Sequence, residues 1–145
     1  MAAALLDAAL LALLAIVTVT DLRARIVPDR VLLGAALIAI PVAALADPAG
    51  LPERGVAALG AGGFLLFAAL IRPGGMGLGD VKLGAVLGFY LGRAVVPALL
   101  VAFVAGALAG LAIVLRHGWR ARVRAIPFAP FMALGAIWIM LGLGC

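Results

Sequence analysis

At 145 residues, 68% hydrophobic and only 12% charged, with a mean hydropathy of +1.34, the chain lies far from the composition of a soluble domain and reads as an integral membrane protein. Serine is absent and the single cysteine is the last residue, Cys145, which excludes Ser/His/Asp and Cys/His catalysis, an internal disulfide framework and a cysteine-based zinc site. The net charge of +5 does not point to nucleic acid, because the basic residues sit in short connections between apolar runs, where they carry orientation.

A span needs about 20 apolar residues, fewer where its ends sit in headgroups or a protein cavity. That ruler predicts an all-α, polytopic bundle of about six transmembrane helices in one domain, with spans near 2–20, 31–46, 55–71, 81–92, 94–115 and 126–143. The first run, "MAAALLDAALLALLAIVTVT", carries Asp7 in place of a basic leader region and reads as a retained span, not a cleaved signal. The fourth, "VKLGAVLGFYLG", is short, so it is either tilted into the bundle or continuous with the residues before it. Small residues recur inside the spans, in "LGAGG" at 59–63, "LGAVLG" at 83–88 and "GALAG" at 106–110. They let helix backbones approach closely where lipid supplies no hydrophobic drive. Pro41 and Pro97 lie within or near span ends, where the ordinary reading is a kink.

The connections after spans one, three and five hold Arg23, Arg25, Arg30, Arg72, Lys82, Arg116, Arg120, Arg122 and Arg124, against Arg54 and Arg93 on the other side. Nine of eleven basic residues on one side make that side cytoplasmic and both termini external. Asp21, Asp29 and Asp80 fall on the cytoplasmic side. His117 stands without a ligand partner at helical spacing, so it and Trp119 read as an interfacial loop with an aromatic anchor, and no metal site is predicted.

What remains for chemistry is a pair of carboxylates. Asp21 follows the first span in "TVTDLRARIVPDR", and Asp80 closes the glycine-rich "RPGGMGLGD" before the fourth, so both are predicted at one depth on one side although 59 positions apart. Two carboxylates converging on one water share a proton: one acts as general base while its protonated partner polarises a scissile carbonyl. Gly77 and Gly79, flanking Leu78, would allow close backbone approach to a peptide, or a positive φ, just before the helix. A bland reading stands beside this, with Asp80 as a helix cap and Asp21 as counter-ion of Arg23 or Arg25.

"GMGLGDVKLG" resembles the G-x-G-D-x-K-L signature of the type IV prepilin peptidases, within the wider GxGD class of membrane aspartyl proteases. "DLRARIVPD" is similar to that family's other aspartate motif, and "IPFAPFMALG" at 126–135 to the Pro-Phe-x-Pro-Phe segment opening its last span. The resemblance implies Asp21 and Asp80 as catalytic, Gly77 and Gly79 as the glycines of the second motif, and Lys82 near headgroups or substrate. It implies Pro28 and Asp29 as the turn after the first aspartate, with Asp29 expected to cap the second helix and start it at Arg30. Pro127, Phe128, Pro130 and Phe131 are expected to pack against the active-site loop.

The activity so implied is an aspartic endopeptidase, with no cofactor, that cuts the short leader of prepilin or pseudopilin proteins at the cytoplasmic face of a bacterial inner membrane. Larger family members add a tetracysteine zinc region and methylate the new N-terminus. This sequence carries no such cysteines, and the expectation is a peptidase without methyl transfer, similar to the minimal enzymes of tight-adherence or pseudopilus systems. A less selective intramembrane protease and a non-enzymatic assembly factor remain as alternative readings.

Overall fold

The computed structural model describes residues 1–119 and 126–142. Arg120, Arg122, Arg124 and Cys145 lie outside the described residues. Among the described residues six α-helices follow one another: α1 (Ala2–Ala24), α2 (Asp29–Ala46), α3 (Leu51–Ile71), α4 (Leu78–Leu91), α5 (Val95–His117) and α6 (Ala129–Met140). Short 3-10 turns at Pro48–Gly50 and Gly92–Ala94 lead into α3 and α5. The described residues contain no strand.

Exposed leucine, isoleucine and phenylalanine side chains cover the outside, among them Leu37, Phe67 and Leu108 at 61–64% exposure. Such a surface belongs in lipid, so the chain is a polytopic helical membrane protein. The expected count of six spans is corrected. Four segments are long and apolar enough to cross: Ala2–Ala24, Asp29–Ala46, Pro48–Ile71 and the run Leu78–His117, which contains both α4 and α5. The reason is length. The 14 residues of α4 rise about 21 Å and the 12 of α6 about 18 Å, short of a hydrocarbon core of about 30 Å.

Proline and glycine set the helix ends. Arg25 closes α1 in the left-handed region (φ 52°), its N–H donating to the Asp21 carbonyl at 2.9 Å. Pro28, extended at φ −72° and ψ 122°, opens α2, as suits a residue with fixed φ and no N–H. Pro41 sits inside α2. Asp47 Oδ1 accepts from the Gly50 N–H at 3.1 Å and starts the turn into α3. Gly92, at φ 57°, breaks the run between α4 and α5.

Two close antiparallel pairs build the interior, α3 with α4 and α5 with α6, while α1 packs between α2 and α6. The small residues do the work expected of them: a Cβ at Gly88 would run into the α3 backbone at Ala57, and one at Gly135 into the α5 carbonyl of Ala98. The largest fully buried side chains are Leu10, Val17, Leu65, Leu83, Leu87 and Met132, drawn from α1, α3, α4 and α6. The short α4 thus lies at the centre of the bundle, and it takes in the last residues of the glycine-rich stretch.

Candidate active site

Asp21 sits one turn from the end of α1 and is only 5% exposed, the one buried charged residue among those described. Burying a carboxylate is costly without hydrogen-bond donors. One is supplied by the other end of the chain: the Ala129 N–H, at the first residue of α6, donates to Asp21 Oδ2 at 3.2 Å. Asp21 forms no ion pair with Arg23 or Arg25 among the described residues, although Arg25 is near enough to act on it electrostatically.

Asp80 is the third residue of α4. It is not the cap: Gly77 holds that position, with an extended backbone (φ −77°, ψ 150°) and no side-chain capping bond. In the first turn a carboxylate faces the positive end of the helix dipole. Asp80 Oδ1 is nevertheless buried without a hydrogen-bond partner among the described residues. A buried acceptor left unmatched costs about 1–3 kcal/mol, so this atom is the least satisfied polar group of the site.

The glycine expectations divide. Neither Gly77 nor Gly79 has positive φ; in this stretch that conformation belongs to Gly74 (φ 83°). Gly79 does mark a close approach, but to this chain: a Cβ there would lie 2.8 Å from Val27 Cβ. The absence of a side chain at 79 therefore lets the start of α4 rest on the α1–α2 connection. At Gly77 the nearest atom to such a Cβ is Asp80 Oδ2 at 3.9 Å, so the space beside it is open.

These elements converge on a cleft of about 320 Å³, lined by Asp21, Arg25 and Val27 from one side and Gly77, Gly79 and Asp80 from the other, with Asp29 and Lys82 at its edge. The two carboxyl groups are near enough to act on each other electrostatically. Asp29 does not cap α2, whose cap position is Pro28 and which begins at Asp29, not Arg30. Its carboxylate instead takes Lys82 Nζ at 2.9 Å on both oxygens, tying the start of α2 to α4. Lys82 is thereby placed at the cleft edge against Asp29.

A larger cavity of about 770 Å³ lies between α3 and α5, at the far end of α4. Its walls are apolar, and its two ionisable residues, Glu53 and Arg93, pair with each other at 3.0 Å. It therefore offers no free acid or base. No group of three or more metal-ligating side chains forms among the described residues.

Sequence reasoning missed Ala129, since an alanine side chain announces nothing. The signal lay in its neighbours. Pro130 has no N–H, and Phe131 and Met132 donate to the Phe128 carbonyl at 3.0 and 3.1 Å, so within the first turn of α6 the Ala129 amide is the one left to reach outward. The segment's expected packing is against the active-site loop, but its ring contacts are with α5: Phe128 lies 5.2 Å from Phe103 and 6.5 Å from Phe131, and Phe103 lies 5.9 Å from Phe64, between ring centroids. Its link to the site is the polar bond from Ala129 to Asp21.

Comparison with known proteins agrees with the motifs. The chain is 40% identical over 129 residues to the prepilin leader peptidase/N-methyltransferase of Bacillus subtilis, covering 88% of this chain and 51% of that protein. It is 45% identical over 74 residues to the protein of the same name from Burkholderia pseudomallei, covering 48% of this chain and 23% of the relative. The chain thus spans about half the length of the Bacillus relative, or less of the Burkholderia one. No solved structure matches it. The type IV leader peptidase family matches residues 8–115, a stretch that takes in both Asp21 and Asp80, and this chain belongs to that family.

Proposed function

We propose that the chain is a membrane aspartyl endopeptidase that removes the short leader of prepilin-like proteins, with Asp21 and Asp80 as its catalytic pair. The observation that carries this reading is the shared cleft: two acids 59 positions apart line one opening of about 320 Å³, and one of them presents a buried oxygen with no hydrogen-bond partner among the described residues. Acids at a membrane edge are expensive unless paired or used. The two described ion pairs, Lys82–Asp29 and Arg93–Glu53, involve neither Asp21 nor Asp80, which weighs against the reading in which they merely neutralise arginines.

In the proposed reaction a water lies between the two carboxyl groups. The ionised member takes a proton from it, the water oxygen attacks the scissile carbonyl, and the protonated member donates to the carbonyl oxygen. Gly77, with open space beside it, would let the substrate backbone come close to Asp80. Arg23, Arg25, Arg30, Arg72 and Lys82 cluster at the cleft end of the helices, while Arg54 and Arg93 lie at the other. By the positive-inside rule the cleft then opens to the cytoplasm of a bacterial inner membrane, where a leader preceding a single apolar helix is accessible.

Cleavage of a co-expressed prepilin by wild type, Asp21→Asn and Asp80→Asn, at matched membrane levels, tests the proposal. Loss of processing in both variants is the expected result. A variant that still cuts at near wild-type rate shows its carboxylate to be structural and ends the dyad reading.

A further inference from the structure

The first turn of a helix leaves its N–H groups in need of partners. In α6 these donors are nearly used up. Pro130 contributes none, Phe131 and Met132 both donate to the Phe128 carbonyl, and the Ala129 N–H donates to Asp21 Oδ2 at 3.2 Å across 108 positions of sequence. The donor is held in place on both sides. Pro127 and Pro130 fix φ around it, and the ring of Phe128 is clamped against Phe103. Ala129 itself is 1% exposed, so water does not compete for the bond.

We infer that the Ala129 amide is a positioning donor that makes the two aspartates unequal, holding Asp21 as the base and leaving Asp80 as the acid. This rests on the peptidase reading above. An amide N–H can only donate, so Asp21 Oδ2 is an acceptor and the proton shared by the pair does not reside on it. Asp21 Oδ1 is left to face the water. The Gly77 N–H also acts on the Asp80 carboxyl, but Asp80 Oδ1, buried and without a partner among the described residues, is the oxygen free to carry the proton and present it to a carbonyl.

The proton balance follows. One water O–H bond breaks, its proton passing to Asp21 Oδ1 as the oxygen bonds to the scissile carbon. The Asp80 proton passes to the former carbonyl oxygen, giving a neutral gem-diol with Asp21 protonated and Asp80 ionised. The C–N bond then breaks, Asp21 giving its proton to the leaving nitrogen while Asp80 takes one from the gem-diol. The products are an amine and a carboxylic acid, and the pair returns to its starting state. Throughout, the Ala129 N–H bonds Asp21 and not Asp80, and keeps Asp21 Oδ1 aimed.

The test replaces one N–H by oxygen. Putting the α-hydroxy analogue, lactic acid, in place of Ala129 in a cell-free, vesicle-inserted preparation converts the amide to an ester, which deletes the N–H and weakens the Phe128 carbonyl that accepts from Phe131 and Met132. The same exchange at Ala133, also buried in α6, is the control for the loss of a helix donor away from Asp21. The expected result with a purified prepilin is a kcat lowered about 10- to 100-fold at position 129, with KM within about twofold and the 133 ester within about threefold of wild type. Equal kcat for the two esters overturns the inference. A reading independent of catalysis is amide exchange at Ala129: protected in wild type, and at least about tenfold faster in Asp21→Ala if the bond exists as described. Unchanged exchange overturns the inference too. A wild type that cleaves no prepilin while Ala129 stays protected by Asp21 places the failure in the peptidase reading, and the base and acid assignment falls with it.

Discussion

The two ends of α4 are built on opposite principles. At its C-terminal end the polar groups are matched within the chain: Arg54 Nη1 donates to the carbonyls of Phe89 at 3.1 Å and Tyr90 at 2.8 Å, the Tyr90 hydroxyl donates to the Ala35 carbonyl at 2.7 Å, and Arg93 pairs with Glu53. The last carbonyls of a helix lack intrahelical partners, and an arginine at that end answers both them and the dipole. At the N-terminal end the same helix carries Asp80 with a buried oxygen that nothing in the described structure answers. One end is finished as a piece of structure. The other leaves an acceptor unmatched among the described residues, and that asymmetry, more than burial alone, supports placing the proposed chemistry there.

The aspartates should separate the two ends of α4 most strongly. Asp80→Asn keeps the shape of the side chain and removes its proton chemistry. Cleavage should fall by about 10²–10⁴-fold or below detection, while thermal stability in detergent or lipid stays within about 0.5 kcal/mol. Asp21→Asn should lose cleavage to the same extent. Its stability should stay near wild type, because asparagine can turn its carbonyl oxygen toward the Ala129 N–H and keep that bond. A protein in which either variant cut normally would remove the distinction between the two ends.

Arg54 sharpens the contrast from the finished end. Arg54→Met retains most of the side-chain volume and deletes the donors to two helix-terminal carbonyls. Stability should drop by about 2–3 kcal/mol, since hydrogen bonds from a charged group are worth more than neutral ones and part-buried carbonyls are left bare. The rate of prepilin cleavage per folded molecule should stay near wild type. Parallel melting and cleavage assays separate the two effects, and an Arg54 variant that folded normally but failed to cut would mean that the far end also serves the reaction.

Gly79 lies between structure and chemistry. Gly79→Ala places a methyl 2.8 Å from Val27 Cβ, closer than real Cβ contacts come, and should cost about 1–2 kcal/mol as overpacking. Val27→Gly in the same chain, which removes the Cβ that the methyl meets, should recover part of that loss. Gly77→Ala, with nothing nearer than 3.9 Å, should leave stability unchanged and raise KM if substrate backbone passes there. Opposite responses at the two glycines, one in melting and one in KM, are the expected pattern.

The aspartates were legible in the sequence because hydropathy fixes depth: two acids at the same boundary of apolar runs must come to the same level of the membrane. Their convergence follows from the short connections and the tightly packed, glycine-rich helices. Other features were not legible, for identifiable reasons. A run with glycines at 74, 75, 77 and 79 does not tell which one takes positive φ, and it was Gly74. An aspartate after proline reads as a cap by local rule, yet Asp29 turns to a lysine 53 positions away, a choice only tertiary packing can make. Ala129 acts through its backbone, which every residue but proline possesses, so only the prolines beside it could have drawn attention to it. Span counting took α4 and α6 as full crossings, because an apolar run reveals its hydrophobicity more readily than the residue at which its helix begins or ends.

The smallest effect expected is also the one most easily mistaken for a large one. Asp29 and Lys82 form a two-oxygen ion pair at 2.9 Å, positioned by the same motifs that carry the aspartates, and would be a natural choice for an essential contact. Both are well exposed, Lys82 at 55% and Asp29 at 68% of the side chain, so water and salt screen them and the pair should contribute only about 0–1 kcal/mol of stability. A double-mutant cycle with Asp29→Asn and Lys82→Met, read by melting at low and high salt, should return a coupling in that range that shrinks as salt rises. If Lys82 guides a substrate across the cleft edge, its loss appears in KM and not in melting. If instead the coupling exceeds about 2 kcal/mol and resists salt, the cleft edge is as fully finished as the far end of α4, and Asp80 alone marks where the fold was left open.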